Sequence, residues 1–141
     1  MYSTIDEVRK MVDESTITYL TDDNQTGEVD ESKISSAIND ADGEINGYLQ
    51  KRYPLPLSPT PQIINKLSKD IALYNLFSRR GIDKDKNEDT IVQRYKNSIK
   101  FLENLSKGIV DLGISTPVKS VVEINLSSNK KLFSRNSLRG M

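Results

Sequence analysis

The stretch AINDADGEINGYLQKRYPLPL, residues 37–57, decides the fold, because a helical pattern in it runs directly into a proline-rich turn. Apolar residues recur there at spacings of three and four, which predicts one helix face packed on a core. We predict an amphipathic helix over residues 32–53, capped by Asp30 or Ser32. Gly43 and Gly47 interrupt it, and we expect at least one of them to allow close packing. The stripe comprises Ile34, Ala37, Ile38, Ala41, Ile45, Tyr48, Leu49 and Tyr53.

Prolines follow this helix at positions 54, 56, 59 and 61, where they end it and stiffen the connection. Thr60 before Pro61 resembles a helix N-cap followed by a first-turn proline, so a further helix is predicted over residues 61–80. Its apolar residues, among them Ile71 and Tyr74, cover most of its circumference. We therefore expect this helix to be the most buried one.

Two more helices complete the predicted fold, a mainly α class with a small four-helix bundle. The first is expected over residues 3–13 with Ser3 as its cap, and it should end before Thr16, Ile17 and Thr18, which are poor helix formers. The last is expected over residues 88–107. One helical domain, residues 1–112, is thus predicted ahead of the C-terminal segment.

The C-terminal residues 113–141 are predicted to form an extended tail. Gly113, Pro117 and many Ser and Asn residues break any helical pattern there. Val122, Ile124 and Leu126 alternate with polar residues, which predicts one short strand. A single strand needs a pairing partner, from this chain or from a neighbouring copy.

Composition excludes several classes of chemistry. The chain of 141 residues contains no His, Cys or Trp. The absence of His and Cys removes Ser–His and Cys–His catalytic pairs, thiolate and imidazole metal sites, and disulfides. A glycine-rich phosphate loop is also lacking. We therefore predict no catalytic residues, no metal site and no cofactor, and expect that the protein is not an enzyme.

Charge is balanced overall but segregated along the chain. Residues 1–50 hold 3 basic and 12 acidic side chains, a balance of −9, whereas residues 51–118 hold 12 and 7, a balance of +5. Residues 119–141 hold 5 basic and 1 acidic side chain, a balance of +4. Solvated helix faces explain such a pattern. Complementary surfaces on neighbouring copies of an assembly are the alternative explanation, which the charge pattern alone favours slightly less.

The loop TDDNQTGEVDES, residues 21–32, resembles a calcium-binding loop. With Asp22 as position 1, Asn24, Thr26 and Asp30 occupy positions 3, 5 and 9, and Gly27 occupies position 6. Position 12, however, is Lys33 instead of the glutamate that completes the ion's shell. We therefore favour a polar interhelical loop without calcium.

Other candidate motifs have simpler explanations. Pro56-Leu57-Ser58-Pro59 matches a PxxP ligand without the flanking basic residue, and a rigid corner accounts for its prolines. The acidic pairs Asp40/Glu44 and Asp83/Asp85 fit a solvated surface better than acid–base catalysis. Ser137 has no His or Cys in the chain to act with it.

Three segments together resemble the neck proteins of Mu-like phages, a family of head–tail connector or head-completion proteins. They are the helix and corner of residues 37–57, the helix KDIALYNLFSRRG of residues 69–81, and the tail FSRNSLRGM of residues 133–141. The passage LSKGIVDLGI, residues 105–114, adds to the likeness. The resemblance implies a virion structural protein that forms a homo-oligomeric ring at the head–tail junction. Portal or adaptor and tail proteins are the implied partners, with DNA only passing through the channel.

Two other classes remain open from the residues alone. One is a bacterial helical adaptor that binds another protein through its tail, and the other is a DNA-binding protein that uses the basic tail. The start MYSTIDEVRK lacks the basic and apolar regions of a signal peptide, and no apolar run reaches transmembrane length. These absences predict a cytosolic protein without a membrane partner, and the resemblance implies that it passes from the host cytoplasm to the virion neck on assembly.

Overall fold

The computed structural model describes residues 1–86 and 88–114, and this part of the chain is mainly helical. It contains five α-helices and one short 3-10 helix. They are α1 (Ile5–Arg9), α2 (Glu14–Thr21), α3 (Glu31–Leu49), α4 (Gln62–Arg80), the 3-10 turn Lys84–Lys86, and α5 (Asp89–Ser106). The predicted helical bundle is confirmed, whereas the predicted division of the chain at residues 112 and 113 stays a prediction. The predicted strand at residues 122–126 lies outside the described residues.

The three long helices form the body of the bundle, and α4 lies at its centre. Asp42 of α3 pairs with Ser68 of α4, and Ala37 pairs with Asn75, so α3 and α4 run antiparallel. All four other α-helices contact α4. Ile71 in the middle of α4 is fully buried. The expectation that this helix would be the most buried is therefore confirmed.

The main error of the sequence prediction is at α2, where residues 14–18 were expected to be non-helical. Ile17 and Leu20 of α2 are fully buried against the core, and this burial outweighs weak helix propensity. The hydroxyls of Thr18 and Thr21 donate to the carbonyls four residues earlier, at 2.8 and 2.9 Å. Each hydroxyl thus has its hydrogen-bond acceptor within the helix.

Helix α1 is shorter than predicted, and its cap is Thr4 instead of Ser3. The Thr4 hydroxyl accepts from the Glu7 amide while the Glu7 carboxylate accepts from the Thr4 amide, which makes a capping box. These bonds, with the Thr4 amide bond the largest cause, lower the pKa of Glu7. Ser3 is instead buried, with its hydroxyl 2.8 Å from that of Ser68.

Three further details of α3 and α4 differ from the prediction. Helix α3 ends at Leu49 instead of residue 53, although Asp30 caps it as expected. Pro61 occupies the N-cap position of α4, so Thr60 is not the cap. A Cβ added at Gly43 or Gly47 would meet nothing within 4 Å, so within the described residues neither glycine allows a close approach. Both lie on the exposed face of α3.

Candidate assembly surfaces

Arg52 holds the segment that follows α5 against the end of α3. Its Nη1 atom donates to the carbonyl of Leu105 at 2.7 Å and, more weakly, to that of Val110 at 3.4 Å. Its Nη2 atom lies 3.6 Å from a carboxylate oxygen of Asp111. A cation at the last carbonyls of a helix also suits the helix dipole. Arg52 therefore fixes where the chain leaves the bundle.

Two neighbours complete this anchor. The hydroxyl of the buried Tyr53 accepts from the Leu112 amide at 3.1 Å. Gly108 turns the chain with a φ of +77°, and a Cβ on it would lie 3.1 Å from Nη1 of Arg52. The positive φ of Gly108 favours glycine over other residues. A side chain at this position would also crowd the guanidinium of Arg52. These contacts hold residues 108–112 beside the end of α3, and so they fix the direction in which the chain leaves α5.

The calcium-like loop uses its carboxylates for internal bonds. Asp22 accepts from the amides of Thr26 and Gly27, at 3.0 and 2.7 Å, and these bonds lower the pKa of Asp22. The carboxylate of Asp22, which would be the first calcium ligand of such a loop, is thus already hydrogen-bonded to backbone amides. Within the described residues, no group of three or more acidic side chains is arranged to hold a metal ion.

Asp23 in the same loop braces the end of α4. Its carboxylate lies 2.6 Å from Arg79, 3.3 Å from Arg80 and 3.5 Å from Lys33. The hydrogen bond from Arg79 is the largest cause of the lowered pKa of Asp23. Arg79 also donates to the Leu20 carbonyl at 2.8 Å, which joins α2 to α4. Lys33, which argued against calcium in the sequence, therefore lies beside a loop carboxylate as its counter-charge.

The segregated charges lie on different helices. Lys96 and Lys100 are exposed one turn apart on α5, the basic residue Lys107 follows at its C-cap, and Arg94 is exposed on another side of the helix. Within the described residues, none of the four is in an ion pair within 4 Å. The exposed acidic residues of the first half lie on α1, α2, α3 and their connections: Asp6, Asp13, Glu14, Asp23, Glu28, Glu31 and Asp40. The fold therefore presents a basic surface on α5 and an acidic surface on the N-terminal helices.

A tyrosine cluster joins α5 to α3 and α4. The rings of Tyr74 and Tyr95 stack with centroids 3.9 Å apart and planes inclined by 10°. The Tyr95 hydroxyl donates to Glu44 at 2.9 Å. Burial of the phenol, followed by this bond, raises the pKa of Tyr95 to about 12. The cluster fixes α5, and with it the basic surface, to the rest of the bundle.

The other candidate residues have separate surroundings where the structure describes them. Asp40 is exposed while Glu44, four residues on, accepts from Tyr95, so the two carboxylates have different surroundings. Asp83 accepts from the Asp85 amide at 3.0 Å. Leu57, in the proline-rich corner between α3 and α4, is buried in the core. Ser137 lies outside the described residues.

Sequence reasoning missed the anchoring role of Arg52 and a buried polar link between α3 and α4. In that link Ser68 donates to Asp42 at 3.0 Å, and Asp42 also accepts from the Tyr2 amide at 3.0 Å. In the sequence, the only indications of these contacts were the positions of Arg52 at the end of an apolar stripe and of Asp42 beside Ala41. Neither identifies its partners, which are far away in sequence.

Comparison with known proteins identifies the family of this chain. The model of the family described as bacteriophage Mu, Gp36 matches residues 2–126. This chain belongs to that family. It is 32% identical over 115 residues to the Mu-like prophage FluMu protein gp36 of Haemophilus influenzae, covering 79% of this chain and 77% of the relative. It is 25% identical over 113 residues to gene product J of Escherichia phage Mu, covering 77% and 76% of the two chains.

Membership of the Gp36 family makes this a protein of Mu-like phages or prophages. The resemblance seen in the sequence is thereby confirmed at the level of the family. Within residues 1–86 and 88–114, none of the helices has the length and apolar character needed to cross a membrane.

Proposed function

We propose that this Gp36-family protein is a non-catalytic structural part of the phage neck. In this proposal, copies form a ring that joins the head to the tail, contacts portal or adaptor and tail proteins, and surrounds the path of the DNA. The family match over residues 2–126 carries the proposal, because both named relatives are phage or prophage proteins.

The separation of charge supports contacts in which the basic surface of one copy meets the acidic surface of the next. Two copies that met through like surfaces would bring acidic residues against acidic residues, or α5 against α5. A head-to-tail contact instead sets α5, with Lys96 and Lys100, against the acidic helices of the next copy. Such a contact repeats from copy to copy and forms a ring when the rotation closes.

Sedimentation velocity of the full-length protein tests the ring. We expect a large closed species at low salt and a smaller fraction of it at high salt, since screening acts beyond about 8–10 Å near physiological ionic strength. The double variant Lys96→Glu/Lys100→Glu should lower the ring fraction. The control Lys51→Glu/Lys84→Glu makes the same change of charge at exposed residues outside α5 and outside the acidic helices, and it should preserve the ring.

Complementation of a phage that lacks this protein tests the place in the virion. Wild-type protein should restore infectious particles, and deletion of residues 129–141 should leave filled heads without attached tails in electron micrographs. The circular dichroism spectrum of the truncated protein shows whether its helices are intact. A protein that forms only a small complex with one partner, with normal head–tail joining in its absence, would instead be an adaptor.

A further inference from the structure

An apolar groove lies between α2, the end of α4 and the start of α5. Val12, Phe77 and Ile91 supply apolar side chains, Tyr19 supplies an aromatic wall, and Glu88 and Lys86 supply one charge of each sign. Its volume of about 520 Å³ falls within the range of pockets that bind ligands, roughly 300–1,000 Å³. The groove can thus accept a large apolar side chain together with the residues beside it.

Tyr19 is the most unusual residue of the groove, because 58% of its surface is exposed. The guanidinium of Arg80 lies 5.3 Å from the centre of its ring, on the side of the calcium-like loop. Exposed aromatic side chains beside an apolar groove are typical of binding surfaces, where tyrosine contributes much contact area at low entropic cost.

The groove and the exit of the C-terminal segment lie at opposite ends of the bundle. Phe77 and Ile91 mark the end where α4 finishes and α5 begins. Arg52 holds the chain at the other end, where α5 finishes. Helix α5 has 18 residues, so the two ends are about 27 Å apart at 1.5 Å per residue.

The sequence beyond Ile114 offers a segment whose chemistry fits the groove. Residues 130–135 read KKLFSR, an apolar pair, Leu132 and Phe133, flanked by three basic residues. Acidic residues outnumber basic ones around the groove: Asp13 and Glu14 precede Ser15, and Asp89 follows Glu88, whereas Lys86 is the basic residue of the lining and Arg9 is paired with Glu14. Eighteen residues lie between Ile114 and Phe133, and they span up to about 60 Å when extended.

We propose that the groove binds residues 130–135 of a neighbouring copy, with Phe133 among the apolar residues and the basic residues beside the acidic ones. The inference rests on the proposed ring. In a head-to-tail contact the segment can span to the groove of the next copy, because its reach of about 60 Å exceeds the length of about 27 Å between the two ends of the bundle. One contact of this kind per copy links every member of a closed ring to the next.

Photo-crosslinking of the full-length protein tests the assignment. A benzophenone amino acid replaces Phe133, ¹⁴N and ¹⁵N copies are mixed, and crosslinked peptides are identified by mass spectrometry. We expect crosslinks from position 133 to residues 12–19 or to the region of Ile91, in pairs that carry both isotopes. The same probe at Leu126 should give few crosslinks to these residues.

Two exposed apolar residues provide matched variants for this experiment. Tyr19→Ser alters the groove and should lower the yield of mixed-isotope crosslinks at least fivefold. Ile109→Ser removes a side chain that is 70% exposed near the opposite end of the bundle, and it should leave the yield unchanged. Equal yields in the two variants would contradict the assignment, as would crosslinks within single copies only.

Sedimentation of the same samples separates this inference from the proposed function. A ring whose crosslinks map away from the groove, or that gives none from position 133, overturns the groove assignment and leaves the neck role standing. Mixed-isotope crosslinks at the groove without a closed ring support the groove and contradict the ring.

Discussion

Substitution of Arg52 tests whether one side chain fixes the exit of the C-terminal segment. Arg52→Ala removes a charge-assisted hydrogen bond of 2.7 Å to the Leu105 carbonyl and a weak one of 3.4 Å to Val110. A hydrogen bond to a charged group contributes about 1.5–3 kcal/mol. The ion pair with Asp111 adds only about 0–1 kcal/mol, because the Asp111 side chain is 56% exposed and its oxygen lies 3.6 Å away.

These contributions give a destabilisation of about 2–4 kcal/mol for Arg52→Ala, since the contact at 3.4 Å adds little. Urea unfolding of the full-length protein, followed by circular dichroism at 222 nm, measures this free energy. Arg52→Lys should lie between wild type and Arg52→Ala, because lysine retains the charge but not the fork of donors.

The control for this experiment is the neighbouring Lys51→Ala, because Lys51 is exposed and should change the free energy of unfolding by less than about 0.5 kcal/mol. Hydrogen exchange should also become faster at the Leu112 amide in Arg52→Ala. A free energy of unfolding for Arg52→Ala within about 0.5 kcal/mol of wild type would refute the view that Arg52 holds this end of the bundle.

Three further predictions concern the core, the loop and the tyrosine cluster. Ile71→Ala, at a fully buried position, should destabilise the protein by about 2–5 kcal/mol in urea unfolding. Millimolar calcium should leave the melting temperature unchanged, because the Asp22 and Asp23 carboxylates are engaged by protein donors; micromolar affinity in calorimetry would contradict this. The raised pKa of Tyr95 keeps its phenol protonated to about pH 12 in the folded protein, whereas the unfolded chain loses that proton near pH 10. Stability should therefore fall between pH 10 and 12, more steeply than in Tyr95→Phe, and parallel curves would disprove it.

The sequence by itself predicted the elements whose signals are local. The stripes of α3, α4 and α5 repeat with helical spacing over 18 or 19 residues, so the apolar face is defined before any partner is known. Asp30 was among the expected caps of α3, and α4 ends at Arg80, as predicted. Lys33 likewise argued against calcium from its position alone, because it carries a positive charge where the ion requires a carboxylate.

Only the tertiary structure decided the elements and contacts that depend on distant residues. Helix α2 has weak propensity and exists because Ile17 and Leu20 are buried against the core. Arg52 meets Leu105, which is 53 positions away, and no local pattern encodes that pairing. The groove at Tyr19 is likewise formed by three elements, brought together when the long helices pack. Helix periodicity is a property of neighbouring residues, whereas anchors and grooves are properties of packing, and packing belongs to the whole chain.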